Sequence, residues 1–269
     1  MQTIENYREN IFKEGIKRML FYADSLRVFY DEVSNYLYHR QFEKCSKEVK
    51  KMHNKHKGDR CFIVATGPSL NSTDLNLIRS EIVFGVNTAF QTLNKYHISS
   101  DYYVVSDRIM WDVYNRVLML LDTRLFLGYV ASRHYFRDGW NGFKKKGKEP
   151  LIMKGKGGLG FSKDIAQYID IDIHTVVYLA LQIAYYLGFK EVYLLGCDCD
   201  YSGGHAGGLG FVDSSKIQIG NTEKEFWGKI FRGYEVCKRE FEKDKRKIYN
   251  STVGGKLEVF ERKKLEDAI

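Results

Sequence analysis

The loop Ala65-Thr66-Gly67-Pro68-Ser69-Leu70 stops the apolar run Cys61-Phe62-Ile63-Val64 with a glycine, a proline and a hydroxyl. Gly67 lets backbone approach a phosphate closely, and Ser69 donates from its hydroxyl. Asn71, Ser72 and Thr73 are each able to cap a following helix. Backbone amides at such a junction, with a helix dipole behind them, hold anions. The same tetrapeptide also serves as an ordinary strand-to-helix turn. It is neither a Walker loop nor a Gly-x-Gly-x-x-Gly fingerprint. The later Gly155-Lys156-Gly157-Gly158-Leu159-Gly160 lacks the Gly-Lys-Ser/Thr ending of a Walker loop and reads as a mobile loop near the ligand.

Three further points follow apolar runs directly. Asn87 offers a donor and an acceptor, suited to a sugar hydroxyl, to a base edge or to a plain turn. Asp107 suits a ribose hydroxyl, a metal-bound water or the cap of a helix starting near Ile109. Gly196-Cys197-Asp198-Cys199-Asp200 leads into a glycine-rich loop that carries His205. Asp198 and Asp200, two apart, resemble the Asp-x-Asp that holds a divalent ion, Mg²⁺ or Mn²⁺, in many nucleotide-sugar transferases. An imidazole titrating near neutrality suits His205 to general-base work on an acceptor hydroxyl, or to stabilising phosphate charge. As an incidental exposed loop residue it would do neither.

The elements that must position these residues alternate along the chain. Short apolar runs at Cys61–Ala65, Glu81–Asn87, Asp101–Asp107, Arg124–Val130 and Glu191–Gly196 read as buried strands, with a sixth at Arg246–Asn250. His174–Leu187 has helical spacing, with Val177, Leu181, Ala184 and Tyr185 on one stripe and Gly188 as its stop. Strands alternating with helices imply an α/β, Rossmann-like, mostly parallel sheet with helices on both faces. Ligands in such sheets sit beyond the carboxyl ends of the strands, which brings Thr66–Ser69, Asn87, Asp107 and Cys197–Asp200 to one edge. Residues 1–57 read as a helical extension of two helices, and 58–269 as the nucleotide-binding catalytic domain. The extension packs on the main domain, or binds a partner or a second copy.

Composition narrows the function. Hydrophobic residues make up 44%, enough for a sizeable core, and no run approaches the length needed to span a bilayer. The polar start, Met1–Asn6, lacks the pattern of a secretory signal. Cysteines 45, 61, 197, 199 and 237 show no zinc spacing and read as reduced cytosolic thiols. The net charge of +8 favours anionic partners. The basic runs at Lys44–Lys57, Lys144–Lys148, Lys238–Lys247 and Arg262–Lys264 read singly as solvated faces. Together they suggest an anionic acceptor or attachment at the inner face of a membrane. No nucleic-acid module is visible, and a basic pI is not specificity.

The ordered motifs resemble the MptE-like family. Gly67-Pro68-Ser69-Leu70, Asn87, Asp101-Tyr102-Tyr103…Asp107 and Leu187-Gly188-Phe189…Leu195-Gly196-x-Asp198 carry the resemblance. His205-Ala206 and Tyr249-Asn250-Ser251-Thr252-x-Gly254-Gly255 continue it, over about Gly58 to Phe260. That family is named for archaeal 6-hydroxymethylpterin diphosphokinases and includes bacterial motility-associated, flagellin-modifying factors. A more distant similarity is to bacterial sialyltransferases that use CMP-activated sugars. There Thr66 stands where that group has Asn, and His174-Thr175-Val176 where it has Thr-Ser-Gly.

The resemblance implies a nucleotide-dependent transferase with Thr66, Gly67, Pro68, Ser69, Asn87, Asp107, Gly196 and Thr175 at the nucleotide and substrate. His205 and Asp198 would be catalytic, with Gly67, Ser69 and Asn87 holding the phosphates and sugar and Asp107 and Asp198 positioning ribose or a metal. The first expectation is a glycosyltransferase of surface polysaccharide or glycan assembly, with a nucleotide-sugar donor, CMP-sugar among the candidates, and a glycan or lipid-linked acceptor. The second is an ATP-dependent diphosphokinase acting on a pterin-like alcohol, with Mg²⁺ on Asp107, Asp198 or Asp200. The third is a non-catalytic nucleotide-binding assembly module.

Overall fold

The computed structural model describes residues 36, 38–128, 130–132, 135, 149–158, 160–173, 175–200 and 223–269. The chain divides between Gln41 and Phe42 into two units. Of the first unit, Tyr36 and residues 38–41 are described, and they are helical. The second unit opens on a helix, α1 (residues 42–50), followed by turns up to Gly58.

Its strands are β1 (Arg60–Val64), β2 (Val83–Val86), β3 (Tyr102–Val105), β4 (Arg124–Leu127), β5 (Leu151–Ile152), β8 (Glu191–Leu195), β9 (Lys247–Asn250) and β10 (Glu261–Arg262). They form one sheet in the order β10-β9-β8-β1-β2-β3-β4-β5, and every pairing is parallel. Two short strands, β6 (Gly155–Lys156) and β7 (Ile169–Asp170), pair apart from it. All six strands legible in the sequence are present. The glycine run differs from its expectation in that its first two residues are β6.

Near-continuous burial explains the strand composition. Cys61, Phe62, Ile63 and Val64 of β1 are all buried, because successive side chains point to opposite faces and both faces are covered. Phe62 and Val64 pack with Val83, Tyr193, Leu195, Tyr249, Leu93 and Leu265 on one face. On that side lie α2 (Ala89–Lys95) and α3 (Arg108–Leu120), the latter packing Met110, Trp111 and Leu118 on Tyr103, Val105 and Leu127.

The other face carries α4 (Val176–Leu187), against β1, β2 and β3, and α5 (Glu223–Lys243), against α4 and β9. All twelve residues of α4 are buried, so it is apolar all round except for Gln182. The helix ends at Gly188, whose Cα side touches Asn54 and Lys57 just before β1. Its amino end, at Thr175, therefore lies at the carboxyl edge of the sheet. Among the described residues, no helix is long and apolar enough to cross a membrane.

The expected α-helix behind the first loop is absent. Pro68–Ser72 and Leu75–Ile78 are short 3-10 turns whose N-terminal caps are Gly67 and Asp74 rather than Asn71, Ser72 or Thr73. Thr73 instead donates its hydroxyl to the Ser69 carbonyl at 3.0 Å.

Candidate functional site

From β1 the chain proceeds through β2, β3, β4 and β5 to one side, and later through β8, β9 and β10 to the other. The order reverses between β1 and β8, where doubly wound sheets open a crevice beyond the strand ends. Ala65 donates its N–H to Leu195 at 2.8 Å and Gly67 donates to Gly196 at 2.9 Å, so the two strand ends stay zipped into the loops. The Asp198 carboxylate then lies on the Gly67–Ser69 turn. Its Oδ2 accepts from the Ser69 hydroxyl at 3.0 Å and the Ser69 N–H at 3.4 Å. A Cβ on Gly67 would overlap that carboxylate and stand 2.5 Å from the Gly196 carbonyl oxygen. Glycine is required here by close approach rather than by its dihedral angles.

The loop after β9 forms a third wall. Gly255 has φ +73°, and a Cβ there would stand 2.5 Å from the Asp198 carbonyl oxygen. Lys256 N–H donates to that carbonyl at 2.7 Å. Thr252 Oγ1 accepts from Cys197 N–H at 3.0 Å, and Arg262 donates to the carbonyls of Thr252, Gly254 and Gly255. These residues position the Asp198 segment and were not among the candidate site residues. Their signal was the Asn250–Gly255 motif, read earlier only as a mark of resemblance.

Asn87, Asp107 and Thr175 end the neighbouring elements on the same edge. Asn87 adopts φ 47°, and its carbonyl accepts from the buried Tyr103 hydroxyl at 2.8 Å. That hydroxyl also accepts from Phe90 N–H at 2.8 Å, which ties the start of α2 to β3. Asn87 Oδ1 is buried and has no hydrogen-bond partner among the described residues. Asp107 caps α3, its Oδ1 accepting from Ile109 at 2.7 Å and Met110 at 3.0 Å. Thr175 caps α4 without a side-chain bond to the first turn, and its hydroxyl lies 3.5 Å from that of Tyr234.

The segment after the glycine run is held against α4 by a buried amide that sequence reasoning passed over. Gln182 Oε1 accepts from Ser162 and Asp170 N–H, both at 2.9 Å, and Nε2 donates to the Asp170 carbonyl at 3.0 Å. Tyr178 donates its hydroxyl to Gly160 at 2.9 Å and Asp170 at 3.0 Å. Burial is the main force holding that phenol neutral. A lone amide inside an otherwise apolar helix was the available clue.

The two carboxylates proposed for a metal are engaged separately. Asp198 meets Ser69, while Asp200 pairs with Lys256 Nζ at 2.8 Å. Among the described residues, no three His, Cys, Asp or Glu side chains are grouped to hold a metal ion. Burial pushes the Cys197 thiol up, reinforced by Cys199 and Asp198, so it is held as the unreactive neutral form. His205 lies outside the described residues.

An all-parallel, doubly wound sheet with its polar loops gathered at the switch point defines an α/β protein of the Rossmann-like class. The chain belongs to the MptE-like family, described as 6-hydroxymethylpterin diphosphokinase MptE-like, whose family model matches residues 35–204. No curated protein matches it. Among solved structures it is similar to the MAf glycosyltransferase of Magnetospirillum magneticum AMB-1, at 16% identity and a TM-score of 0.52. That match covers 85% of this chain, which spans 38% of the other. Another is the sialyltransferase CstII of Campylobacter jejuni in complex with cytidine-5'-monophosphate, a substrate analogue, at 17% identity and a TM-score of 0.47, covering 77% of this chain and 85% of that one.

Proposed function

We propose that the chain is a nucleotide-dependent transferase that passes a sugar from a nucleotide-activated donor to a glycan or lipid-linked acceptor in surface polysaccharide or glycan assembly. One observation carries the reading: the Ser69–Asp198 contact sits in the switch-point crevice, with the unpartnered Asn87 Oδ1 on the same sheet edge. A crevice so placed suits a nucleotide, and the fold shared with a glycosyltransferase supports sugar transfer. Thr66, Pro68, Asp107, Gly196 and Thr175 complete the binding edge. His205 takes the acceptor proton, and the +8 charge favours an anionic acceptor at a cytoplasmic membrane face. Residues 42–57 of the extension pack within the second unit, and the part before residue 42 is proposed to dock a partner or a second copy.

The family description supports a second reading, diphosphate transfer from ATP to a pterin-like alcohol. Calorimetric titration of CMP, CDP, UDP, GDP and ATP, with and without Mg²⁺, separates the two. Metal-independent CMP or CDP binding is the expected outcome. Binding of ATP alone, and only with Mg²⁺, would move the assignment to the diphosphokinase. Binding of no nucleotide removes both. His205→Ala is expected to keep nucleotide affinity and abolish turnover; unchanged turnover rules out the base role.

A further inference from the structure

The Gly67–Ser69 turn has the sequence of an anion site but not its electrostatics. An α-helix start gathers anions because aligned peptide dipoles and free N–H groups add up. Here the turn opens only a five-residue 3-10 helix. Its donors are already directed at a carboxylate, since both the Ser69 N–H and the Ser69 hydroxyl point to Asp198 Oδ2. A phosphate oxygen on those donors would take the place of the carboxylate oxygen and lie against its negative charge. Like charges at such separation repel unless one is protonated or displaced.

Two acceptors at this edge take no donor from the described residues. Asp198 is half-buried, and its second oxygen, Oδ1, has no hydrogen-bond partner among the described residues. Asn87 Oδ1 is buried and also has no hydrogen-bond partner among the described residues, whereas Asp198 Oδ1 is open to a ligand. A buried acceptor left without a donor carries a penalty that a ligand hydroxyl or amine removes, and phosphate brings no proton to do it. An open carboxylate oxygen at this edge takes a donor such as a polyol hydroxyl, and not a phosphate oxygen.

We infer that Ser69 and Asp198 form a sugar-hydroxyl subsite that holds the ribose of the nucleotide, and that the phosphates lie away from this turn. The inference rests on the nucleotide reading proposed above. Ser69 stays on Asp198 Oδ2 and orients it, while Oδ1 accepts from a ribose hydroxyl. Gly67 has no Cβ because the carboxylate occupies that space.

The test compares CMP, CDP, UDP, GDP and ATP with their 2'-deoxy and 3'-deoxy counterparts by calorimetry on the full chain. Loss of one hydroxyl is expected to weaken binding by about tenfold to a hundredfold, the usual range for a bond to a charged acceptor. Asp198→Asn keeps the shape and removes the charge. It should weaken ribonucleotide binding and make ribose and deoxyribose forms bind alike, with unfolding temperature as the control on folding. A phosphate subsite gives the opposite sign, tighter binding in Asp198→Asn, and would overturn the inference. Equal affinity of ribose and both deoxy forms for the unsubstituted protein overturns it without touching the nucleotide reading. Binding of no nucleotide removes that reading, and this one with it.

Discussion

Where the strands begin, the Arg60 guanidinium lies on Glu81 at 2.7 Å, Asp101 accepts from Val83 N–H at 2.9 Å, and the His56 ring stands between Asp59 and the Tyr102 hydroxyl. Where they end, and among the described residues, Asn87 Oδ1 is buried without a partner and Asp198 uses one carboxylate oxygen of two. The named groups at the amino edge are paired, while at the carboxyl edge Asn87 Oδ1 is buried without a donor among the described residues. A buried acceptor without a donor carries a penalty, so Asn87 is where the proposed nucleotide site can be tested at this edge. Two glycines mark the close packing of the Asp198 segment. Gly67 and Gly255, at the carboxyl edge, have no room for a side chain because the Asp198 segment fills it. Gly58, before β1, has nothing within 4 Å of an added Cβ.

Gly67→Ala is the strongest way to break this contrast. It should cost roughly 1–3 kcal/mol, as overpacking against fixed backbone does, and abolish nucleotide binding. A variant with the original unfolding temperature and affinity would show that the β1–β8 approach is not the site. Asn87→Gly separates ligand bonding from folding at the same edge. Glycine tolerates φ 47° and deletes the unmatched oxygen, so stability should rise by about 0.5–1 kcal/mol. Nucleotide affinity should fall about tenfold with the lost amide. Urea unfolding and calorimetry read the two, and a fall in both would make Asn87 a structural residue.

The smallest effect belongs to the amino edge. Burial, helped by Asp101, pushes the Tyr102 hydroxyl from its ordinary 10.0 up to about 12. The unfolded chain then releases this proton first. Its contribution to stability is intact below pH 10.0 and is lost as pH rises towards about 12. Unfolding measured across that window should show the decline, and Tyr102→Phe should make it shallower. Nucleotide affinity at neutral pH should be unaffected by that substitution, since Tyr102 opens β3 at the far end from the crevice.

Local pattern determined a large part of this protein. Runs such as Cys61–Val64 and Glu191–Leu195 declared themselves as strands because a chain segment buried on both faces must be apolar throughout. The parallel class and the edge bearing Thr66–Ser69, Asn87, Asp107 and Asp198 followed from their alternation with helices. The two-residue strands β5, β6, β7 and β10 were illegible, since so short a run has no periodicity. Asp107 could be read as ligand or cap from its neighbours; the structure shows that it caps α3 with Oδ1.

Tertiary structure alone decided what faces what. Ser69 and Asp198 are 129 residues apart, and nothing near either one reports the other. Their meeting depends on β8 docking beside β1 rather than beyond β4, a long-range choice made by the packing of whole faces. The same docking turned an apparent anion loop into a partner for a carboxylate. Residue type is written along the chain, but the charge a residue meets is set by strands that arrive later.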